Sequence, residues 1–382
     1  MMYNETELYC VPSTLHGKRI SVYQLATWKN GLPFRKIDFS DKGKPIIKIA
    51  ELNGGITAST SYTEHEYSRD VFLTKGDLVF SWSGNPDTSI DVYRYSLPDG
   101  WLNQHIFKVT ANRNFVSADY LYYILKFLKP NFSMIAKNKQ TTGLGHVTIA
   151  DLQRMSVIVP SFECQDKISG ILKAIDDKIE NNNAINHNLE QQAFALFDHL
   201  FPNISDGLCT IGDYITPKRG RNLLSKDAVP GTVPVVAGGL EPSTYHNTAN
   251  TLAPVLTISA SGANAGFVNL WHTPVWSSDS SFIDSSMTED VYFWFVMLKK
   301  RQREIFDAQT GSAQPHIYPQ HIAAMTIRSL DKALMSDFAS QVTPLFALIG
   351  ANKDENDRLA SVRDALLPKL MSGEIDVSEV EL

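Results

Sequence analysis

The pattern of apolar positions shows a heptad repeat between Ile168 and Leu200, in which apolar residues or asparagines recur at alternating spacings of four and three. An average spacing of 3.5 residues is typical of helices that pack along their whole length against a partner. This first seam predicts a long helix over residues 162–201. Its positions are Ile168, Leu172, Ile175, Ile179, Asn182, Asn186, Leu189, Ala193, Leu196 and Leu200.

A second seam lies 170 residues further along the chain and aligns with the first without a gap. It predicts a long helix over residues 333–372, in which Pro344 is expected to cause a kink or a break of the first turns. Nine of its ten positions match the first seam in kind. The exception is Arg363, which occupies the position of Ala193 in the repeat and suggests a place where a partner subunit breaks the symmetry. The positions are Phe338, Val342, Leu345, Ile349, Asn352, Asn356, Leu359, Arg363, Leu366 and Leu370.

The two helices are predicted to pair with each other in antiparallel orientation, because each seam offers the other a partner within one chain. A pair centred on the midpoints of both seams sets Asn182 against Asn356 and Asn186 against Asn352. Buried asparagine at a seam position costs stability but fixes register and orientation, so we assign these four residues to register. A seam of this length would form a spacer of about 50 Å.

The repeat extends into the segments that precede each seam. His146 matches His316 at the same offset, and residues 80–84 (FSWSG) resemble residues 258–262 (ISASG). Short strand patterns and turn residues alternate in both segments. The sequence therefore predicts an α/β (α+β) fold with two repeated domains, residues 15–161 and 206–331, separated by a long antiparallel two-helix coiled coil with pseudo-twofold symmetry. The acidic tail after Gly373 is predicted to be mobile.

The composition and the absence of several motifs reduce the number of function classes that fit the sequence. The 382 residues are 43% hydrophobic and 20% charged, as in a globular protein of two or three domains. No signal peptide and no run of about 18 apolar residues is apparent, so no membrane contact is expected. Three scattered cysteines fit the reducing cytoplasm and argue against a zinc site. No nucleotide-binding P-loop, methyl-donor loop or H-E-x-x-H motif occurs, which favours binding over catalysis and predicts no cofactor or metal.

Charge is unevenly distributed. The net charge of −6 argues against a free-standing nucleic-acid binder. Basic residues nevertheless cluster at residues 218–221 (KRGR) and 299–303 (KKRQR). Residues 120–150 form a third basic segment, with four lysines and no acidic residue. Each cluster by itself fits a solvated face, whereas the three together favour a polyanionic partner.

The order of short segments around the seams carries a more specific resemblance. Residues 140–147 (QTTGLGHV), 157–160 (VIVP) and 162–168 (FECQDKI) lead into the first seam, and residues 366–375 (LLPKLMSGEI) end the second. In this order, and duplicated, they are similar to the specificity (S) subunits of type I restriction-modification enzymes, and the resemblance covers nearly the whole chain. It implies two target-recognition domains, each reading one half of a split sequence in double-stranded DNA, without catalysis by the chain itself. It also implies methyltransferase (M) subunits that dock on the helix pair and modify adenine, and a motor-nuclease (R) subunit.

On this resemblance, candidate DNA contacts can be assigned. Phosphate contacts are expected from Lys137, Lys139, Thr141, Lys218, Arg219 and Arg221. Base contacts at the strand-end turns are expected from Ser81, Ser83, Ser259 and Ser261, with ordinary turn chemistry as the alternative.

Two other functions remain open from the sequence. One is a coiled-coil scaffold that does not bind DNA and whose globular halves bind protein. The other, a self-contained methyltransferase or nuclease, is poorly supported because the corresponding motifs are missing.

Overall fold

A computed structural model describes residues 8–140, 143–311 and 314–380 of the chain. The chain divides into two compact units: unit 1 comprises residues 1–178 and 358–382, and unit 2 comprises residues 179–357. Each unit contains one mixed α/β domain together with part of each of two long helices.

Unit 1 contains four short helices and twelve strands among its described residues. The helices are α1 (Ile49–Gly54), α2 (Ala118–Phe127), α3 (Lys129–Asn138) and α4 (Ile149–Arg154), followed by the start of α5 (Phe162–Leu200). The strands are β1 (Gly17–Ser21), β2 (Ala26–Asn30), β3 (Lys44–Ile47), β4 (Tyr62–Thr63), β5 (Phe72–Leu73), β6 (Leu78–Ser81), β7 (Ser83–Gly84), β8 (Asp91–Arg94), β9 (Gly100–Leu102), β10 (Ile106–Ala111), β11 (Gly145–His146) and β12 (Ser156–Pro160).

The central sheet of unit 1 has the strand order β2-β10-β6-β8, and a second sheet has the order β4-β3-β9-β5. Helix α2 begins where the hydroxyl of Ser117 accepts a hydrogen bond from the backbone N–H of Tyr120, which satisfies one of the free N–H groups of the first turn. Pro130 lies in the first turn of α3, where a missing N–H costs nothing. Ile168 and Leu172 of α5 are fully buried in the core of this unit.

The prediction of a mobile tail is wrong for the described part of the C-terminus. Val377 is only 3% exposed and belongs to the core of unit 1. The backbone N–H of Thr14 donates to the carbonyl of Ser372 at 2.7 Å, and Lys167 Nζ donates to the carbonyl of Ser378 at 2.6 Å. Ile375 and Val380 pack against the same core, so three apolar residues anchor the acidic segment by removing apolar surface from water.

Unit 2 contains the second half of α5 and a second α/β domain. The helices of that domain are α6 (Val291–Lys300), α7 (Gln302–Asp307) and α8 (Pro319–Ala323), followed by α9 (Lys332–Ser372). The strands are β13 (Cys209–Thr210), β14 (Lys218–Arg219), β15 (Val233–Val236), β16 (Thr244–His246), β17 (Val255–Ser259), β18 (Val268–Trp271), β19 (Trp276–Ser277), β20 (Ser280–Asp284) and β21 (Thr326–Ile327). The central sheet has the order β14-β20-β17-β18, and β16-β15-β19 form a smaller sheet.

Four phenylalanines join the long helices to the second domain within unit 2. Phe197 of α5, Phe201, Phe293 of α6 and Phe338 of α9 have ring centroids 5.0–6.1 Å apart. Aromatic pairs at these distances contribute beyond the area that they bury. The aromatic cluster therefore fixes where α5 and α9 contact this domain.

Helix α9 is continuous through Pro344, so the break of its first turns predicted from that proline does not occur. One 18-residue window of the helix has a mean hydropathy of 1.2, which among the described residues makes it long and apolar enough, by length and composition alone, to cross a membrane. Phe338, Val342 and Phe346 of this helix are buried in the core of unit 2. Part of the apolar surface of this helix therefore lies in the core of unit 2.

The long helices are antiparallel within unit 2, and asparagines join them. Asn182 Nδ2 donates to Asn356 Oδ1 at 2.9 Å, and Asn352 Nδ2 donates to Asn186 Oδ1 at 2.8 Å. These are the two pairs that the midpoints of the seams predict. Asn182 is only 1% exposed, so the cost of its burial makes other registers unfavourable.

Arg363, the exception in the repeat, has a partner inside unit 1. Its Nη1 donates to Asp176 Oδ1 at 2.9 Å, and Asp176 Oδ2 accepts the hydroxyl of Tyr123 at 2.7 Å. The positions equivalent by the repeat offset are Phe346 and Ala193, which are buried in the core of unit 2. The long helices are therefore joined by an ion pair in unit 1, whereas the two equivalent residues in unit 2 are apolar.

We expect the double substitution Asn182→Leu and Asn356→Leu to raise the thermal unfolding midpoint and to loosen the register, because leucine packs in a seam without needing a hydrogen-bond partner. A gain of about 1 kcal/mol would raise the midpoint by about 2–4 °C for a domain of this size. Scanning calorimetry measures the midpoint, and disulfide trapping between cysteines placed one heptad out of register measures slippage. Asn181→Leu, at an exposed position, is the control. A lowered midpoint without slipped species would contradict the assignment to register.

Arg363→Ala is expected to lower the free energy of unfolding by about 1 kcal/mol, because it leaves the half-buried carboxylate of Asp176 without its cation. Adding Asp176→Phe reproduces the apolar pair of unit 2 and should recover most of the loss. Urea unfolding of the two variants measures both changes. If the double variant is no more stable than Arg363→Ala, the equivalence of the two pairs is wrong.

Candidate nucleic-acid interface

Both domains end the central strand of their main sheet in the same kind of turn. Strand β6 continues through Trp82 into β7, where Ser83 lies opposite His146. Strand β17 continues to Ser261, which forms a bridge with His316. Gly84 and Gly262 have φ of 126° and 83°, a left-handed conformation that glycine adopts without strain. The turns are therefore set by the backbone and held by a histidine segment in each domain.

The four predicted base-contacting serines fall into two pairs. Ser81 and Ser259 are 0% and 3% exposed, so in this structure their hydroxyls have no access to a base edge. Ser83 and Ser261 are only half-buried. The first serine of each Ser-x-Ser-Gly segment still belongs to a strand that is buried along its whole length, whereas the second serine lies beyond the end of that strand.

In unit 2, Arg219 and Ser261 meet at a residue that the sequence analysis missed. Arg219 Nη2 donates to Asp279 Oδ1 at 2.5 Å, and the hydroxyl of Ser261 donates to Asp279 Oδ2. Asp279 lies between β19 and β20 and is half-buried. No sequence motif marks this aspartate, because its position depends on strand pairing.

Lys218 and Arg221 are exposed, and within the described part of the chain neither has an ion-pair partner. Lys218 and Arg219 form strand β14, at the edge of the central sheet. Because side chains alternate along a strand, these two neighbours point to opposite faces. Lys218 and Arg221 thus remain available to an external anion, whereas Arg219 is held by a carboxylate.

The lysines predicted in unit 1 are both paired. Lys137 Nζ lies 2.6 Å from Asp87 Oδ1, and both side chains are largely exposed. Lys139 Nζ lies 2.6 Å from Asp151, whose side chain is only 5% exposed. Burial would raise the pKa of Asp151, but hydrogen bonds from Lys139 and Thr148 lower it overall. Lys139 therefore stabilises the start of α4, while Lys137 can exchange its exposed partner at little cost; the candidate at position 141 lies outside the described residues.

A polar and aromatic cluster surrounds the turn of unit 1. The indole N–H of Trp82 donates to Asn30 Oδ1 at 3.0 Å. The Trp82 ring stacks on Phe107, with centroids 5.7 Å apart, and lies 5.7 Å from the ring of His105. Asn30 and His105 are exposed. The sequence analysis did not select them, because only the register of β2 and β10 brings them to the turn.

Unit 2 contains a cavity of about 210 Å³. It is lined by His272, Lys299 and Lys353 together with residues of α5, α6 and α9. His272 Nε2 is buried, and no described residue forms a hydrogen bond with it. Burial, helped by the charge of Lys353, lowers the pKa of His272 to about 4. The imidazole is therefore neutral at physiological pH. Among the described residues, no group of three or more potential ligands could hold a metal ion.

The lowered pKa of His272 makes a prediction for stability. Between pH 6.5 and about 4 the unfolded state binds more protons at this residue than the folded state, so the free energy of unfolding should fall as the pH falls through this window. His272→Gln should remove this contribution, by at most about 1.4 kcal/mol per pH unit. Urea unfolding at several pH values measures it, with His199→Gln, at an exposed position, as the control. An unchanged pH dependence in His272→Gln would show that the imidazole is protonated in the folded state.

Comparison with known proteins shows which domain family and which proteins the chain is similar to. Residues 20–191 match the family described as type I restriction modification DNA specificity domain. The type I restriction enzyme MjaIX specificity subunit of Methanocaldococcus jannaschii is 24% identical, over 88% of this chain and 94% of the relative. The HindI specificity subunit of Haemophilus influenzae is 32% identical over 136 residues, which are 34% of this chain and 28% of the relative.

A solved structure agrees in fold. The S subunit of a type I restriction-modification system from M. genitalium covers 94% of this chain and 97% of its own, with a TM-score of 0.53 and 18% identity. At this identity the likeness shows the fold, and it confirms the predicted fold class. Together with the family match and the curated relatives, it confirms the resemblance drawn from the sequence. Residues 20–191 are thus similar to the type I restriction modification DNA specificity domain, and the chain over most of its length is similar to type I restriction enzyme specificity subunits.

Proposed function

We propose that the chain is the non-catalytic DNA-recognition subunit of a type I restriction-modification complex. Each α/β domain would read one half of a bipartite target in double-stranded DNA. The observation that carries this proposal is the duplicated turn: both domains end their central strand beside a histidine segment and surround it with exposed polar side chains. Sequence readout needs such side chains, because hydrogen bonds to base edges carry the specificity.

The long helices would hold the two recognition domains at a fixed spacing and bind the methyltransferase (M) subunits. The paired asparagines in unit 2 support this role, because a spacer is useful only if its register is fixed. The M subunits would methylate adenine, and a motor-nuclease (R) subunit would join them for cleavage. We place the assembly in the cytoplasm, in keeping with the three free cysteines.

The charge of the chain defines what its partners must supply. Phosphate neutralisation provides much of the affinity for DNA, and a chain with a net charge of −6 is poorly suited to provide it alone. The M subunits would therefore close around the duplex and add positive charge. On this chain, Lys218 and Arg221 are the favoured phosphate contacts, and the exposed Lys137 is a further one.

Sequencing of methylated bases in cells that express the chain with its M subunit tests the proposal. A split motif with a fixed spacer, present only when both proteins are expressed, is the expected result. An assembly that binds all duplexes equally would contradict the proposal. An assembly that shows no dependence on DNA would favour a protein scaffold, and methyl transfer by the purified chain alone would make it an enzyme.

Lys218→Ala and Arg221→Ala are each expected to weaken DNA binding by the assembly without changing its sequence preference. Each should also reduce the slope of log K against log salt by about 1, because each removes one phosphate contact. Fluorescence anisotropy at several salt concentrations measures the slope. Lys332→Ala removes an exposed cation of the same unit that lies outside the three basic clusters and is the control. A slope that is unchanged relative to this control would remove the residue from the interface.

A further inference from the structure

The registers of the two central sheets allow the domains to be aligned residue by residue. In unit 1, Ser81 of β6 lies opposite Ile106 of β10, and the next residue of β10, Phe107, lies opposite Asn30 of β2. Asn30 is thus placed by two strand pairings relative to the turn that follows Ser81.

The same two steps in unit 2 lead to Arg219. Ser259 of β17 lies opposite Ser280 of β20, and the next residue, Ser281, lies opposite Arg219 of β14. Because the two sheets have the same strand order, aligning Ser259 with Ser81 aligns Arg219 with Asn30.

Backbone hydrogen bonds extend this equivalence to a second position. The N–H of Trp82 donates to the carbonyl of His105, and the N–H of Ala260 donates to the carbonyl of Asp279. His105 and Asp279 are therefore equivalent as well. The two turns share one backbone frame, but the exposed side chains around them differ in size and charge. Such a difference is what two domains with different target sequences require.

The chemistry of Arg219 fits a guanine. Asp279 accepts Arg219 with one oxygen and the hydroxyl of Ser261 with the other, which fixes the direction of the guanidinium group. A fixed arginine presents its remaining N–H groups as a fork that matches O6 and N7 of guanine in the major groove. The adjacent carboxylate disfavours a phosphate at this position, because like charges repel.

The chemistry of Asn30 fits an adenine. Its side-chain oxygen accepts the indole N–H of Trp82, which is itself held by stacking on Phe107. The oxygen keeps a second lone pair, and neither amide N–H group has a partner among the described residues, so the side chain can accept from N6 and donate to N7 of adenine. The equivalent of Asp279 here is His105, so no carboxylate is available to hold an arginine.

We propose that Asn30 and Arg219 are the equivalent base-reading residues of the two domains, with Asn30 reading an adenine in one half-site and Arg219 a guanine in the other. Asp279 is the positioning residue for Arg219. This inference rests on the proposed function and names the chemistry of its site. It replaces the phosphate contact that the basic cluster at residues 218–221 predicts for Arg219.

Sequencing of methylated bases tests the inference, with the chain and its M subunit expressed together. Arg219→Ala should make one guanine of one half-site tolerant of other bases, with discrimination reduced by about 5-fold to 150-fold. Asn30→Ala should have the same effect on one adenine of the other half-site. Arg219→Gln should change the preference from guanine to adenine at the base that Arg219 reads. This gain of a new motif cannot result from misfolding.

Two further variants separate this inference from a general loss of binding. Lys332→Ala, at an exposed position of the same unit outside the proposed interface, should leave the motif intact. Asp279→Asn should weaken the guanine preference and leave the other half-site unchanged. A split motif that stays the same in Arg219→Ala, Arg219→Gln and Asn30→Ala would overturn the inference while leaving the proposed function standing. The absence of any split motif with the unmodified chain would instead overturn the proposed function.

Discussion

The structure depends on the burial of both long helices in the core of each unit. In unit 1 the core includes Ile168 and Leu172 of α5 and Leu370 of α9. In unit 2 it includes Phe197 of α5 and Phe338 of α9. Each domain therefore completes its core with segments that are distant in sequence. Because these residues contribute most of their stabilisation only when water is excluded, the folding of each domain is coupled to the pairing of the helices.

The sequence predicts the parts of the fold that depend on local periodicity. A seam of 3.5-residue spacing predicts the two long helices, and its arithmetic predicts which asparagines face each other. Arg363 could not be interpreted in the same way, because its partner Asp176 lies outside the seam positions. The anchoring of the tail was missed for a related reason: Ile375, Val377 and Val380 pack against the core despite the acidic composition of the segment.

The candidate site was less accessible to sequence reasoning. The turns after the central strands were identified by their Ser-x-Ser-Gly segments, but the burial of Ser81 and Ser259 follows from hydrophobic clusters that pack on both faces of each strand. Asp279, Asn30 and His105 reach the turns only through strand pairing. No motif marks residues whose proximity depends on register, and these are the residues in which the two domains differ. The repeat thus identifies the turns at which we propose readout, and the register identifies the side chains around them.

The ion pair between Arg363 and Asp176 disfavours association of each long helix with the same helix of a second copy. Two nearly identical seams could also pair with the same seam of a second copy. In an antiparallel pair of two α5 helices, the repeat offset keeps Asn182 opposite Asn186, so the asparagines do not disfavour it. The same pairing sets Asp176 against Ala193, and a pair of two α9 helices sets Arg363 against Phe346. Each association leaves half-buried charges without a partner, at a cost on the order of 1 kcal/mol per charge. The asparagines therefore fix the register, whereas the ion pair determines which helix pairs with which.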